Sequence, residues 1–183
     1  MIVAGIDPGT KTSATGVSIY KDGVLLEVRG FGPPPPKLDL IERISWLMSS
    51  IIAYIIHWRV EKACIEESVY RGKANHALQR FLGILEYMLR CNGTKIQTVN
   101  PSTLKLYYGK GNLDKEEIAR RMIADKLFTP AERDILQTVI NNEEWDLTDA
   151  IAIGYYGVKN AETRIVKKPK RKSKRKLKTA DRS

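Results

Sequence analysis

The sequence predicts an α/β protein in which a mixed five-stranded sheet is flanked by helices. Two features carry this prediction. The first part of the chain holds three short apolar or alternating runs separated by turn residues, a pattern typical of hairpin-connected strands. Beyond residue 38, apolar residues at helical spacing alternate with two short apolar runs, which is typical of helices connecting parallel strands.

Three strands are predicted first. Residues 2–6 (IVAGI) form a short apolar run, and residues 14–20 and 23–31 form two more. Lys21-Asp22-Gly23 joins the second and third strands as a hairpin turn, where Gly or Asp supplies the positive φ. The prolines at 33–36 end the ladder, because proline lacks the amide hydrogen that pairing requires, and we interpret them as a stiff surface loop.

Two helices and two further strands follow. Between residues 38 and 58, apolar residues recur at spacings of three and four, which predicts a long helix packed on the core. Residues 74–91 show the same helical pattern. The short runs 62–66 (KACIE) and 95–99 (KIQTV) predict buried strands.

The C-terminal half is predicted to be mainly helical. Asn100-Pro101-Ser102 starts a short helix, since proline is favoured in the first turn. A glycine-containing loop at 108–113 precedes three longer helices. Asp114 and Thr129-Pro130 mark the starts of the first two. These helices are predicted over residues 115–127, 130–141 and 146–159.

Positive charge is concentrated at the C-terminus. The formal net charge is +10, but residues 167–183 hold ten Lys or Arg against Asp181 alone. Leu177 is the one large apolar residue of this segment, which therefore cannot build a core. We divide the chain into a globular domain, residues 1–160, and a basic flexible tail, residues 161–183. Non-specific duplex binding, nuclear import and solubilisation are alternative roles for the tail.

Several classes of protein are excluded. Two cysteines, Cys64 and Cys91, cannot form a disulfide scaffold or a four-cysteine zinc site. The N-terminus lacks the features of a signal peptide, and the uncharged run between Arg43 and Arg59 is shorter than a membrane span. We expect a soluble protein of the cytoplasm, with nuclear import through the tail left open.

Four acidic residues stand out by position. Asp7 follows the first strand, and Glu66 ends a second buried strand. Asp146 and Asp149 share one face of the last helix, being three residues apart. Ligands collect at strand ends of open sheets, and clustered carboxylates near a core repel one another unless a cation neutralises them. Mg²⁺ is the natural cation, and two such ions about 4 Å apart would clamp the oxygens of a phosphodiester.

Each of these residues also has a simpler interpretation. Asp7 can serve the turn that follows it. Glu67 can be the inward-facing residue in place of Glu66, because strand side chains alternate. Asp146 can cap the helix, with Asp149 favouring its dipole. The combination is more specific than any of its parts.

The motifs GIDPGT with TGVSIY, ACIEESVY and DLTDAIAIG together resemble RuvC-type Holliday junction resolvases of the ribonuclease H-like superfamily, over residues 2–157. The resemblance implies a homodimer that resolves four-way DNA junctions, with two Mg²⁺ ions per active site, replaceable by Mn²⁺. It also implies that four carboxylates are both the catalytic and the metal-binding residues: Asp7, Glu66, Asp146 and Asp149. An acidic insertion at 128–145 and the basic tail depart from the cellular bacterial pattern and suggest a divergent, viral branch.

Basic residues around the site predict a DNA-binding surface. Residues 71–126 carry a net charge of +6, whereas residues 129–149 carry −5. By resemblance, Lys105 and Lys115 match basic residues near the scissile phosphate, and Lys115 would act in catalysis by stabilising developing charge. The remaining predicted DNA contacts follow the Glu66 strand or lie between two glycines: Tyr70, Arg71, Lys73 and Lys110. Packing is the alternative role of Tyr70, and stacking on a base is its functional role.

Three other functions compete with a junction resolvase. A broader branched-DNA nuclease would cut three-way junctions, forks or flaps with the same site. A non-catalytic DNA-binding protein would not need the carboxylate set. An ATPase of the actin and sugar-kinase type also has a strand that leads into Asp and a Gly-Thr turn, but that fold needs two such domains, and the sequence shows no second glycine-rich phosphate turn.

Overall fold

The computed structural model describes residues 1–9, 14–67, 76–125 and 128–162, with no side-chain description for 161 and 162. The predicted tail, residues 161–183, therefore lies almost wholly outside the described residues. The elements in chain order are β1 Ile2–Asp7, β2 Thr15–Lys21, β3 Val24–Phe31, α1 Leu40–His57, β4 Lys62–Glu66, α2 His76–Cys91, β5 Lys95–Val99, α3 Pro101–Tyr107, α4 Lys115–Ala124, α5 Pro130–Asn141 and α6 Trp145–Glu162.

The five strands form one mixed sheet in the order β3-β2-β1-β4-β5. β1 and β2 pair antiparallel, as do β2 and β3, while β4 runs parallel to both β1 and β5. The hairpin between β2 and β3 turns at Asp22 and Gly23, both with positive φ. The predicted fold class, a mixed five-stranded sheet flanked by helices, is confirmed.

Helices cover both faces of the sheet. α1 and α2 pack on one face. There they bury the apolar side chains of every second residue in β1, β2 and β4, while the residues between them point to the opposite face. α6 crosses the opposite face, and α3, α4 and α5 pack around it. By length and hydropathy alone α1 would qualify as a membrane span, but it is amphipathic and buries seven side chains, among them Leu47 and Ile51, in the first of these cores.

Several helix bounds differ from the sequence prediction. α1 starts at Leu40, since Asp39 forms a capping box with Glu42. α4 ends at Ala124, earlier than the predicted 127, because Asp125 adopts an extended conformation. α6 starts at Trp145, so Asp146 lies inside the helix and is not its N-cap. The helical insertion before α6 is confirmed by α5.

Glycines let α6 approach the sheet very closely. A side chain on Gly5 of β1 would overlap the backbone of Gly154, and one on Gly154 would overlap Ser18 and Tyr20 of β2. A side chain on Gly16 would overlap the carbonyl of Asp146. At Gly5 and Gly16 the backbone of α6 is therefore held directly against the backbone of β1 and β2.

Hydroxyl groups secure this contact. Ser18 Oγ donates to the carbonyl of Ala150 at 2.6 Å, and Tyr20 Oη donates to the carbonyl of Ile151 at 2.8 Å. From α3 and its end, Tyr108 Oη donates to the carbonyl of Ala152 at 3.0 Å. These buried hydrogen bonds fix both the rotation and the height of α6 on the sheet.

Helix α5 is joined to the sheet edge by a buried carboxylate. Glu132 is 3% exposed. One of its oxygens accepts from the amide of Leu25 on edge strand β3, and the other accepts from the amide of Thr129, both at 2.7 Å. The acid thus caps its own helix and pairs a free amide of the sheet edge.

We predict that Gly5→Ala lowers the free energy of unfolding by about 3 kcal/mol or more, since the helix must move to admit the methyl group. Gly83→Ala is the matched control, because Gly83 lies inside α2 with nothing within 4 Å of the added carbon. That control should be neutral or stabilise the protein by up to about 1 kcal/mol. Urea unfolding measures both, and equal effects of the two variants would contradict the contact.

We also predict that Glu132→Gln destabilises the protein by about 2–4 kcal/mol, because the new amide group turns a donor toward one of the two backbone amides. Asp134→Asn, on an exposed position of the same helix, should change stability by less than about 0.5 kcal/mol. Urea unfolding again gives the comparison. If Glu132→Gln were as stable as the wild type, the two hydrogen bonds that Glu132 accepts would not stabilise the fold.

Candidate active site

Two carboxylates lie at neighbouring strand ends. β1 and β4 are parallel and pair up to Ile6 and Ile65, so Asp7 and Glu66 follow side by side at the same edge. Ile6 and Ile65 belong to the core under α1 and α2, and alternation turns the next residue of each strand toward α6. Glu66, and not Glu67, is therefore the inward-facing acid.

The position of Glu67 supports this assignment. Its side chain is exposed, and its Oε1 accepts a hydrogen bond from Thr98 on β5 at 2.8 Å. Glu66, in contrast, is within electrostatic reach of Asp7 and Asp149. The ambiguity between two adjacent glutamates in the sequence is resolved by the strand pairing.

Helix α6 supplies the other two acids. Asp146 and Asp149 lie one turn apart in its first turns, directly above the end of β1, because Gly16 pairs with Asp7 and contacts the backbone of Asp146. Asp149 is 18% exposed and its charge acts on both Asp7 and Glu66. The predicted carboxylates are thus brought to one place by β1, β4 and α6.

Burial and mutual repulsion raise the pKa of three of these acids. For Asp7, burial and then the charges of Asp149 and Glu66 raise the pKa to about 8, against a smaller opposing effect of Lys115. For Glu66, burial and then Asp149 raise the pKa to about 7. Burial also raises the pKa of Asp149, although its pairing with Lys115 opposes the shift.

Lys115 is the cation that contacts this cluster. It is the first residue of α4, and its Nζ lies 2.5 Å from Oδ2 of Asp149. Burial acts to lower the pKa of Lys115, but pairing with Asp149 and the charges of Asp7 and Asp146 raise it overall. The side chain is half exposed, so one side of the ammonium faces the solvent.

The predicted DNA contacts are placed unequally. Lys105 on α3 is partly buried, and its charge acts on Glu66 and Asp149, so it belongs to the site. Lys110 is exposed in the connection between α3 and α4. Tyr70, Arg71 and Lys73 lie outside the described residues, and their role stays a prediction.

Two acidic clefts border the carboxylates. A cavity of about 390 Å³ beside Asp146 is lined by Glu143, Glu144 and Trp145 at the end of the insertion. A cavity of about 360 Å³ beside Glu66 is lined by Glu67 and by Glu86 of α2. Sequence reasoning did not bring Glu86 or Glu143 to the site, because no local pattern links them to it. Negative charge therefore extends beyond the four predicted carboxylates.

The donor set fits hard divalent cations. Four carboxylates offer oxygen ligands of the kind that Mg²⁺ and Mn²⁺ prefer, and their mutual repulsion is relieved by added positive charge. Within the described ranges, no three acidic, histidine or cysteine side chains already converge on one ion-binding point. One reason is visible in the structure, since Asp149 is engaged by Lys115.

The raised pKa values predict a pH-dependent stability. Asp7 and Glu66 bind protons more tightly when folded than at their ordinary pKa values of 3.8 and 4.5. Their contribution to stability is therefore fully present below those values and is lost as the pH rises through about 7 and 8. In EDTA, we expect the free energy of unfolding to fall by on the order of 2–4 kcal/mol from about pH 5 to about pH 8.5.

Two variants test which groups cause this dependence of the free energy of unfolding on pH. Both are measured by urea unfolding across the same pH range. Asp7→Asn should flatten the curve, because it removes the acid whose pKa is raised to about 8. Glu67→Gln removes an adjacent acid outside the cluster and should keep the wild-type slope. A slope that survives in Asp7→Asn would show that other groups cause it.

The chain is similar to known proteins in its three-dimensional structure. No protein-family model matches the sequence, and no curated protein matches it either. RuvC of Thermus thermophilus in complex with a Holliday junction substrate superposes with a TM-score of 0.64 at 19% identity, over 88% of this chain and 94% of that chain. Yeast mitochondrial Holliday junction resolvase Ydc2 superposes with a TM-score of 0.62 at 13% identity, over 85% of this chain and 78% of that chain.

A viral protein extends the comparison. Fowlpox virus resolvase, solved in complex with substrate Holliday junction DNA, gives a TM-score of 0.55 at 15% identity, over 89% of this chain and all of that chain. At these identities the likeness concerns the fold. The chain therefore has the ribonuclease H-like fold of the Holliday junction resolvases, which confirms at the level of the fold the resemblance seen in the sequence motifs.

Proposed function

We propose that the protein is a metal-dependent endodeoxyribonuclease that resolves four-way DNA junctions. One observation supports this proposal: the acids at the ends of β1 and β4 and at the start of α6 act on one another's charge, and Lys105 and Lys115 act on the same acids. A purely structural role does not account for a buried cluster of acids in which burial, and then the charges of Asp149 and Glu66, raise the pKa of Asp7 to about 8.

Under this proposal the site residues divide the work. Asp7, Glu66, Asp146 and Asp149 would hold two Mg²⁺ ions, which supply an activated water and neutralise charge at the scissile phosphate. Lys105 and Lys115 would bind the phosphate oxygens, because their charge reaches the carboxylates in the described part of the chain. The acidic clefts beside Glu66 and Asp146 would repel the phosphates of the DNA backbone, and Lys105 and Lys115 would attract them.

Branched DNA is the proposed substrate class. RuvC and the fowlpox resolvase, which share this fold, were each solved with Holliday junction DNA. A junction with two-fold symmetry needs two equivalent cuts, and a symmetric homodimer would provide two equivalent sites. The basic tail would add salt-sensitive, non-specific affinity for duplex arms.

The experiment compares labelled four-way, three-way and linear duplex DNA with Mg²⁺ or EDTA. We expect symmetric nicks in the four-way junction that need the metal. Asp7→Asn and Asp146→Asn should reduce the rate by roughly a hundredfold or more, because each removes a ligand of the reacting centre. Asp134→Asn, on an exposed position of α5, is the matched control and should keep its activity, because it removes an acid that belongs neither to the cluster nor to the two clefts.

The other outcomes separate the competing functions. Equal cleavage of three-way and four-way DNA would favour a broader branched-DNA nuclease. Salt-sensitive binding to junctions without cleavage under Mg²⁺ or Mn²⁺ would refute the enzyme and leave a DNA-binding protein.

A further inference from the structure

The ion pair between Lys115 and Asp149 occupies one of the proposed metal ligands. Nζ of Lys115 lies 2.5 Å from Oδ2 of Asp149, an oxygen that would otherwise be available to a cation. The same ammonium interacts with the charges of Asp7 and Asp146. A protein cation therefore stands among the carboxylates in the metal-free state.

The base of this lysine is fixed, while its end is free to move. Lys115 starts α4, whose N-cap Asp114 accepts from the amide of Glu117 at 2.8 Å. Ile118 and Met122 bury this helix in the core that it shares with α6. Four methylene groups then connect the fixed backbone to an ammonium group at a half-exposed position, so the group can leave Asp149 without any movement of the helix.

We infer that Lys115 is an internal counter-cation that a divalent metal ion displaces from Asp149. The inference rests on the proposed function, since it takes the carboxylates as the metal site. A divalent ion places twice the charge of an ammonium beside the same oxygens, and Asp149 cannot present one oxygen fully to both. The displaced ammonium moves toward the solvent, to which the Lys115 side chain is already half exposed.

Displacement couples the binding of metal and DNA. Without a bound metal, the ammonium of Lys115 is paired with Asp149, and an approaching phosphate meets mainly carboxylates. Once the metal has taken its place, the same ammonium is available to a phosphate oxygen. Lys115 thus positions charge according to metal occupancy, and the site gains affinity for an anion only when it is loaded.

The test uses the full chain without DNA and has two readouts. Calcium is the metal probe. Calorimetry measures its affinity, and acylation by an N-hydroxysuccinimide ester, followed by peptide mass spectrometry, measures the reactivity of single lysines. We expect calcium to accelerate the acylation of Lys115 and to leave Lys110 unchanged, because Lys110 is exposed in either state.

Variants separate displacement from a general charge effect. Lys115→Gln should bind calcium roughly tenfold more tightly, since no ammonium competes. Lys110→Gln removes the same charge from a nearby loop and should bind calcium as the wild type does. Lys115→Arg keeps the charge and should bind calcium no more tightly than the wild type.

The outcomes distinguish this inference from the proposed function. Calcium binding that is lost in Asp7→Asn, with unchanged Lys115 reactivity and wild-type affinity in Lys115→Gln, would overturn the inference and leave the metal site intact. Equal gains in Lys115→Gln and Lys110→Gln would also overturn it. Failure of the wild type and all variants to bind calcium, magnesium or manganese would overturn the proposed function together with the inference.

Discussion

The backbone-to-backbone contact of α6 with β1 and β2 is the constraint on which the rest of the structure depends. Gly5 and Gly154 approach each other with no side chain between them, and Ser18 and Tyr20 bond to the carbonyls of the helix. A larger residue at either glycine would lift α6 away from the sheet. The height of the helix decides whether its acids reach Asp7, so small residues define the site as much as acidic ones do.

This contact also holds together charges that repel one another. Burial and neighbouring acids raise the pKa of Asp7 and Glu66, so the site opposes folding at neutral pH in the absence of a cation. The packing of α6 and the ion pair of Lys115 offset this repulsion. Sites that oppose folding are expected where function requires charge in a buried place, and their stabilisation then comes from elsewhere in the fold.

Much of the fold could be predicted from the sequence because local chemistry determines it. The turn at Asp22 and Gly23, the start of α4 at its cap Asp114 and the five strands each follow from residues close in the chain. The position of Asp146 inside α6 and the choice of Glu66 over Glu67 needed the pairing of distant segments. The role of Gly5 was not predicted either, because a glycine within an apolar strand gives no local sign of the helix that will cross it.

Under the proposed function, the distribution of charge would let the site distinguish bent or branched DNA from a straight duplex. Residues 1–166 carry a net charge of only +1, so attraction of any duplex to the body as a whole is weak. Acidic clefts lie beside Glu66 and Asp146, while the charges of Lys105 and Lys115 act on Glu66. A straight duplex that meets Lys105 and Lys115 would run its neighbouring phosphates past these acids, whereas a bent or branched backbone can turn away from them. Under the proposed function, repulsion from the acidic clefts would therefore contribute to substrate selection together with attraction to the lysines.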